Sequence, residues 1–275
     1  MIERFADKIC VVTGAGSGIG RATAVRLAAS GAVVAASDVD PSGLNETKAR
    51  ITQDGANKHR FDILDVSDAD AIENYALTIQ DSVGPAHYVF NIAGMTRFGD
   101  FRTTSLSAFE TIFDVNFWGV VRMTKAFLPQ LIETKGGIVN VSSVFGLIGY
   151  PGQAHYCASK FAVRGFNETI AMELESTGVS VTSVHPGGVA TNIAANAAFD
   201  GLPSGVDDRT VIEQQFESVA RTSPEDAASA ILRGAAKRKR RVLIGRDARI
   251  ISLAQRLFPE NYSKLLRRFA PDQRF

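Results

Sequence analysis

Cysteine is scarce in these 275 residues, Cys10 and Cys157 being the only two. That excludes a disulfide scaffold and a cysteine-based zinc site, and it suits a reducing cytoplasm. No charge of one sign dominates: 30 Lys and Arg stand against 29 Asp and Glu, a net of +1. The chain as a whole therefore lacks the footprint of a nucleic-acid binder, and no nucleic-acid partner is expected. No apolar run approaches the roughly 18 residues that a transmembrane helix needs. The mixed-charge start Met1–Lys8 lacks the apolar stretch of a signal peptide. His59, His87 and His185 show no metal-ligand spacing, so no metal is expected. Internal repeats, low-complexity tracts and interdomain linkers are also missing.

What is present is ordinary globular usage, 45% hydrophobic and 21% charged. Short runs rich in Val and Ile read as strands: Lys8–Thr13, Ala32–Ser37, Lys58–Asp62, His87–Asn91, Gly137–Ser142, Val179–His185 and Arg241–Gly245. Their nearly continuous apolar character is that of strands covered on both faces. Helical patterns lie between them near 18–30, 41–54, 68–82, 105–134, 154–177 and 224–237. This alternation predicts an α/β fold: one doubly wound, Rossmann-type parallel sheet of about seven strands with helices on both faces. We expect residues 1–247 to form a single dinucleotide-binding and catalytic domain. Ala194–Asp208, rich in Ala, Gly and Asp, breaks the rhythm and reads as part of a substrate lid near 190–220.

After the first strand comes Thr13-Gly14-Ala15-Gly16-Ser17-Gly18-Ile19-Gly20, followed by a helical run. Glycines there allow a tight turn and close approach of the backbone to phosphate, and the helix start offers N–H groups to the anion. The alternative is a plain strand–helix turn. Asp38, 18 residues after Gly20 at the end of the second strand, can accept hydrogen bonds from adenosine ribose hydroxyls and would repel a 2′-phosphate. No Lys or Arg stands at Ser17 or Val39 to pair with such a phosphate. NAD is therefore favoured over NADP.

Tyr156 and Lys160 are spaced i and i+4, on one helix face. A nearby ammonium favours the phenolate, so Tyr156 could serve as base toward an alcohol or acid toward a ketone. Moving its pKa from about 10 to about 7 needs on the order of 4 kcal/mol. Ser142 and Ser143 both end the strand Gly137–Ser142, beyond whose carboxyl end a ligand would bind. Either could hold a reacting oxygen, and either could be an ordinary strand-end serine. His155 adjoins Tyr156 but lies off its helix face, and with Cys157 it reads as packing.

Together these motifs resemble the short-chain dehydrogenase/reductase family over roughly residues 1–192. The turn from Thr13 to Gly20 matches that family's Thr-Gly-x-x-x-Gly-x-Gly in full. The resemblance implies a cofactor-binding set of Gly14, Ser17, Gly18, Ile19, Gly20, Asp38, Asp65, Val66, Asn91, Ala93, Gly94, Tyr156, Lys160, Pro186, Gly187, Val189 and Thr191. Within it, Asp65-Val66 would contact adenine, and Val189 and Thr191 the carboxamide. Asn91-Ile92-Ala93-Gly94 departs from the family's Asn-Asn-Ala-Gly at Ile92. The implied catalytic set is Asn116, Ser143, Tyr156 and Lys160. Ser143 is chosen over Ser142 because it lies 13 residues before Tyr156, and Asn116 lies 40 before. Tyr156 would exchange the proton, and Asn116 would hold a water in a relay with Lys160.

The resulting expectation is an NAD-dependent oxidoreductase of secondary alcohols and ketones, assembled as a homodimer or homotetramer. Met95, Phe98, Phe145, Leu147, Ile148 and Tyr150, with Ile193, Phe199, Leu202 and Phe216 from the lid, suggest a hydrophobic substrate or else core packing. The alternatives are a non-catalytic NAD-binding sensor or partner subunit, and an NADP-dependent carbonyl reductase.

Charge is unevenly spread. Residues 233–275 hold 13 Lys and Arg against 3 Asp and Glu, a net of +10. Within them, residues 248–275 read as a basic amphipathic helical extension: apolar side chains recur at helical spacing over Arg249–Phe258 and again from Tyr262 to Phe269. Such helices can close over a cleft, seal an oligomer, or make peripheral contact with an anionic membrane through residues 248–270.

Overall fold

The computed structural model describes residues 2–52, 58–191, 193, 197–200 and 220–269. Most of the expected lid, Leu202 and Phe216 included, lies outside the described residues.

Seven strands form one parallel sheet. They are β1 (Ile9–Thr13), β2 (Val33–Asp38), β3 (Arg60–Ile63), β4 (Tyr88–Asn91), β6 (Gly137–Val141), β7 (Ser180–Pro186) and β9 (Arg241–Ile244), in the spatial order β3-β2-β1-β4-β6-β7-β9. Two further strands, β5 (Arg97–Phe98) and β8 (Ala198–Phe199), pair in parallel outside that sheet, which sequence reading did not foresee. All five residues of β1, and all five of β6, are buried. Alternate side chains of β1 enter opposite cores, as the two-residue strand period requires. Cys10 and Val12 pack with Leu27, Phe90 and Ile231, whereas Ile9 and Val11 pack with Ile72, Ile79, Phe127 and Leu131.

The helices are α1 (Gly18–Ala29), α2 (Pro41–Ile51), α3 (Ala69–Val83), α4 (Leu106–Phe113), α5 (Gly119–Thr134), α6 (Ala154–Glu173), α7 (Pro224–Ala236), α8 (Arg246–Leu257) and α9 (Tyr262–Phe269). Their starts are chemically marked. Asp40, Asp68, Ser105 and Ser223 each accept a backbone N–H from the first turn of α2, α3, α4 and α7. The single helix expected over 105–134 is instead interrupted by a π-helical turn, Asp114–Trp118, in which Asn116 is buried. Such wide turns are frequent at functional sites. Among the described residues no helix is long and apolar enough to cross a membrane.

The order of strands reverses beside β1. The chain runs outward through β2 and β3, then returns to place β4 on the other side of β1. The carboxyl ends of β1 and β4 therefore diverge into a crevice, where sheets of this kind bind ligands.

Candidate active site

A cleft of about 1670 Å³ runs along this carboxyl edge. Behind its wall the buried Thr13 hydroxyl oxygen accepts the backbone N–H groups of Ile92 and Ala93, each at 3.1 Å, which ties the ends of β1 and β4 together. Gly14 turns the chain at φ +67°, and a Cβ there would lie 2.8 Å from Ala93 Cα. α1 then begins against the cleft. Ser17 caps it with no side-chain hydrogen bond, and its first turn carries no acid. Gly18, Ile19 and Gly20 line the cleft with the positive end of the helix dipole. A Cβ on Gly18 would lie 3.0 Å from Thr191 Cγ2, so a side chain would fill the gap between the helix start and the loop after β7.

Asp38 ends β2 under this turn. Its carboxylate accepts from Gly16 N at 2.7 Å and from Asp40 N at 2.9 Å. Arg21, the nearby cation, is committed elsewhere: it pairs with Glu46 at 2.8 Å and donates to the carbonyls of Gly16 and Gly43. Asp65, Val66, Ala93, Gly94, Pro186, Gly187, Val189 and Thr191 all line the cleft, as the sequence reading placed them.

Ser143, Tyr156 and Lys160 also line it. Lys160 is buried, donates from Nζ to the carbonyl of Val141 at 3.1 Å, and sits 5.7 Å from the Tyr156 ring centre. Burial pulls its pKa down to about 8. Tyr156 keeps an accessible edge in the cleft, but its surroundings are crowded enough that desolvation pushes its pKa up to about 12, with hydrogen bonding to Ser143 acting the other way. The expected lowering by the ammonium is thus corrected: Lys160 hydrogen-bonds a carbonyl rather than the phenol, and desolvation dominates both groups.

Two named residues stand apart from the cleft wall. Asn91 is buried, its amide donating to Asn140 at 2.8 Å and Thr124 at 3.3 Å. Asn116 accepts from Met95 N and donates to Met95 O, both at 2.9 Å, so its side chain braces the segment after β4. A Cβ on Gly94 would nevertheless lie 3.1 Å from Asn116 Oδ1 and 3.3 Å from Lys160 Nζ, which puts both groups against one glycine. His155 is buried, its ring nitrogens without a hydrogen-bond partner among the described residues and Nε2 3.8 Å from Asp200 Oδ2, and burial pushes the Cys157 thiol up to about 11, leaving it unionised.

The model of the short chain dehydrogenase family matches residues 8–200. The chain belongs to the short chain dehydrogenase family. The mycobacterial oxidoreductase SadH of Mycobacterium tuberculosis is 42% identical over 268 residues, 96% of each chain. Meso-2,3-butanediol dehydrogenase of Serratia marcescens is 34% identical over 226 residues, 82% of this chain and 86% of that one. A short chain dehydrogenase/reductase from Burkholderia phymatum, solved in complex with NAD, superposes with a TM-score of 0.84 at 26% identity, covering 94% of this chain and 95% of that one.

As a short chain dehydrogenase the protein is an oxidoreductase of the NAD(P)-binding kind. The glycine cradle, the uncapped start of α1 and the carboxylate of Asp38 fit such a dinucleotide. Beyond Tyr156 the cleft is apolar. Met95, Phe98, Phe145, Ile148, Tyr150 and Ile193 line it, whereas Leu147 is buried behind the wall. Phe199 stacks on Phe98 at 5.3 Å between ring centres. Ile250 and Ile251 of α8 and Tyr262 of α9 close the far end, and the Tyr262 hydroxyl accepts Gly149 N at 3.0 Å. These residues of the C-terminal helices line the cleft, the placement that closure over it, one of the three expected roles, requires.

Proposed function

We propose that this short chain dehydrogenase uses NAD to interconvert a hydrophobic secondary alcohol and its ketone at Ser143, Tyr156 and Lys160. The observation that carries the reading is the meeting of these three side chains, in one cleft, with the glycine cradle and an apolar wall. The butanediol dehydrogenase relative supports the secondary alcohol by its name, and the bound NAD of the Burkholderia structure supports the cofactor.

Gly14, Ser17, Gly18, Ile19 and Gly20 would hold the pyrophosphate by backbone N–H groups. Asp38 would accept from the adenosine ribose, with Arg21 already neutralised by Glu46. Asp65 and Val66 would border adenine. Asn91, Ala93, Gly94, Pro186, Gly187, Val189 and Thr191 would shape the nicotinamide end. When bound, the nicotinamide supplies hydride or accepts it. Ser143 holds the substrate oxygen. Tyr156, kept neutral by burial, donates its proton to that oxygen during reduction and is left as phenolate; oxidation runs the same transfer in reverse, from the phenolate, which takes the hydroxyl proton. Lys160 places positive charge beside the phenol, and Asn116 keeps the segment carrying Met95 in place.

Residues 1–247 act as one catalytic domain in this reading, with 248–275 as its extension. Trp118, Phe161 and Met172, exposed on the π-turn and α6, would be covered in a homodimer or homotetramer. Leu253 and Leu257 form an exposed apolar patch on α8, away from the cleft and on the helix that carries Arg246 and Arg249, which suits peripheral contact with an anionic membrane from a cytoplasmic location.

The test is reduction of NAD⁺, followed by absorbance, with a panel of hydrophobic secondary alcohols and with Tyr156→Phe alongside. Turnover that disappears in the variant supports the reading. Dinucleotide binding without turnover across the panel would instead favour a non-catalytic sensor.

A further inference from the structure

Six buried residues form a continuous hydrogen-bonded line through the middle of the molecule. Asn91 on β4 donates from Nδ2 to Asn140 Oδ1 on β6 at 2.8 Å. Asn140 Nδ2 donates to Asn167 Oδ1 on α6 at 2.6 Å, and Asn167 Nδ2 donates to Ser183 Oγ on β7 at 3.1 Å. Ser183 Oγ is 3.0 Å from His185 Nε2, and His185 Nδ1 is 3.1 Å from the carbonyl oxygen of Ser143. Asn140 and His185 are fully buried, and none of the six is more than 8% exposed.

The far end dictates the direction of the whole line. A carbonyl oxygen only accepts, so His185 must carry its proton on Nδ1. Burial keeps the ring neutral, lowering its pKa to about 4, with Arg241 and Arg164 acting in the same sense and Glu168 against them. Nε2 is then a bare lone pair and must receive the Ser183 hydroxyl proton. Ser183 oxygen in turn receives the Asn167 amide, and each asparagine presents its amide nitrogen toward the His185 end. Reversing the line in a neutral protein would set the Nδ1 lone pair against the Ser143 carbonyl, leaving two buried acceptors face to face.

The line ends where position matters. The last turn of chain after β6 is held at three successive residues. The Val141 carbonyl accepts from Lys160 Nζ, Ser142 Oγ donates to the Lys160 carbonyl at 2.8 Å, and the Ser143 carbonyl accepts from His185. The first two ties come from the helix that carries Tyr156; the third comes from the opposite side.

We propose that His185 is a positioning residue which, held as its Nδ1–H tautomer between the Ser143 carbonyl and the Ser183 hydroxyl, steadies that carbonyl and so directs the Ser143 hydroxyl toward Tyr156. The inference rests on the role given to Ser143 above. It touches neither substrate nor cofactor and acts through the backbone of Ser143.

The experiment is long-range ¹H–¹⁵N correlation of the histidine rings in the labelled full chain at neutral pH, with His185 assigned by its loss in His185→Asn. The expected pattern is protonated Nδ1 and unprotonated Nε2, the reverse of histidine's usual preference in water. In Ser183→Ala the Ser143 carbonyl still requires the Nδ1 proton, so His185 should keep its tautomer, while the unpartnered Nε2 loosens the ring and lowers kcat roughly a few-fold with the dinucleotide KM unchanged. His185→Asn, whose amide can stand where Nδ1–H stood, should keep most of kcat, and His185→Leu should not. A wild-type ring with Nε2–H or both protons would overturn the proposal, as would equal kcat in the Asn and Leu variants. Ser143→Ala separates the two readings. If it leaves turnover intact, the role of Ser143 fails, whatever tautomer His185 displays.

Discussion

Arg97 holds the Asp200 carboxylate with two guanidinium nitrogens, Nε lying 2.8 Å from Oδ2, across 103 residues of sequence. The pair locks β5 to β8 and so fastens the chain beyond the β7 loop to the segment after β4. The Phe98–Phe199 stack and the hydrogen bond from Asp200 N to Phe98 O at 2.8 Å lie in the same contact. Arg97→Ala would leave a carboxylate only 12% exposed without its partner. We expect the KM for the alcohol to rise about tenfold, with the dinucleotide KM unchanged. Steady-state kinetics with each substrate varied in turn checks this, and an equal rise in both would refute it.

In the proposed reading Lys160 would trade stability for chemistry. Its pKa falls from 10.5 in the unfolded chain to about 8 in the fold, through burial. The unfolded state therefore binds more protons between pH 8 and 10.5, and stability rises with pH across that window. Below pH 8 the full cost of the buried ammonium applies. Lys160→Met should gain on the order of 1–3 kcal/mol at pH 7, flatten the rise between pH 8 and 10.5, and lower turnover at least ~100-fold. Urea unfolding at several pH values, beside the absorbance assay, measures both effects. A variant less stable at pH 7 would count against this account.

In the proposed reading Asp38 would set cofactor choice through charge. Asp38→Asn removes the charge and keeps one acceptor oxygen, so it retains one of the two bonds, to Gly16 N or to Asp40 N, and loses the other. The ratio of kcat/KM for NAD over NADP should fall by about tenfold or more as repulsion of a 2′-phosphate is lost. An unchanged ratio would remove Asp38 from that role.

The outward patch of α8 is tested by flotation with vesicles. The full chain should float with anionic vesicles and much less with neutral ones, since each basic side chain near the surface contributes about 1 kcal/mol. Leu253→Asp combined with Leu257→Asp should abolish flotation and leave turnover of a water-soluble alcohol unchanged. A wild-type chain that stays in the soluble fraction with anionic vesicles would end the idea.

Much of this arrangement is local and therefore legible in the chain. The seven main strands lie within a residue or two of where their Val- and Ile-rich runs put them, because a strand covered on both faces must be apolar throughout. The turn from Thr13 to Gly20 and the i, i+4 pair of Tyr156 and Lys160 are short-range patterns whose geometry follows from spacing alone. Asn140, Ser183 and His185 also left a trace, as polar residues inside otherwise apolar strands. Buried polar groups need partners, yet nothing in the sequence says which of them meet.

The meetings themselves belong to the tertiary structure. Asn140 finds Asn167 across strand and helix, and Arg97 finds Asp200 across 103 residues. Whether Lys160 would lower the Tyr156 pKa could not be read from a spacing, because the outcome is a contest between Coulombic attraction and desolvation. Packing settles that contest, since it removes water from both groups and turns the ammonium toward the Val141 carbonyl. The residues that can do chemistry are thus inscribed in the order of amino acids. Their distances, protonation states and supports depend on the low-dielectric surroundings that exist only once the sheet and its helices have closed around them.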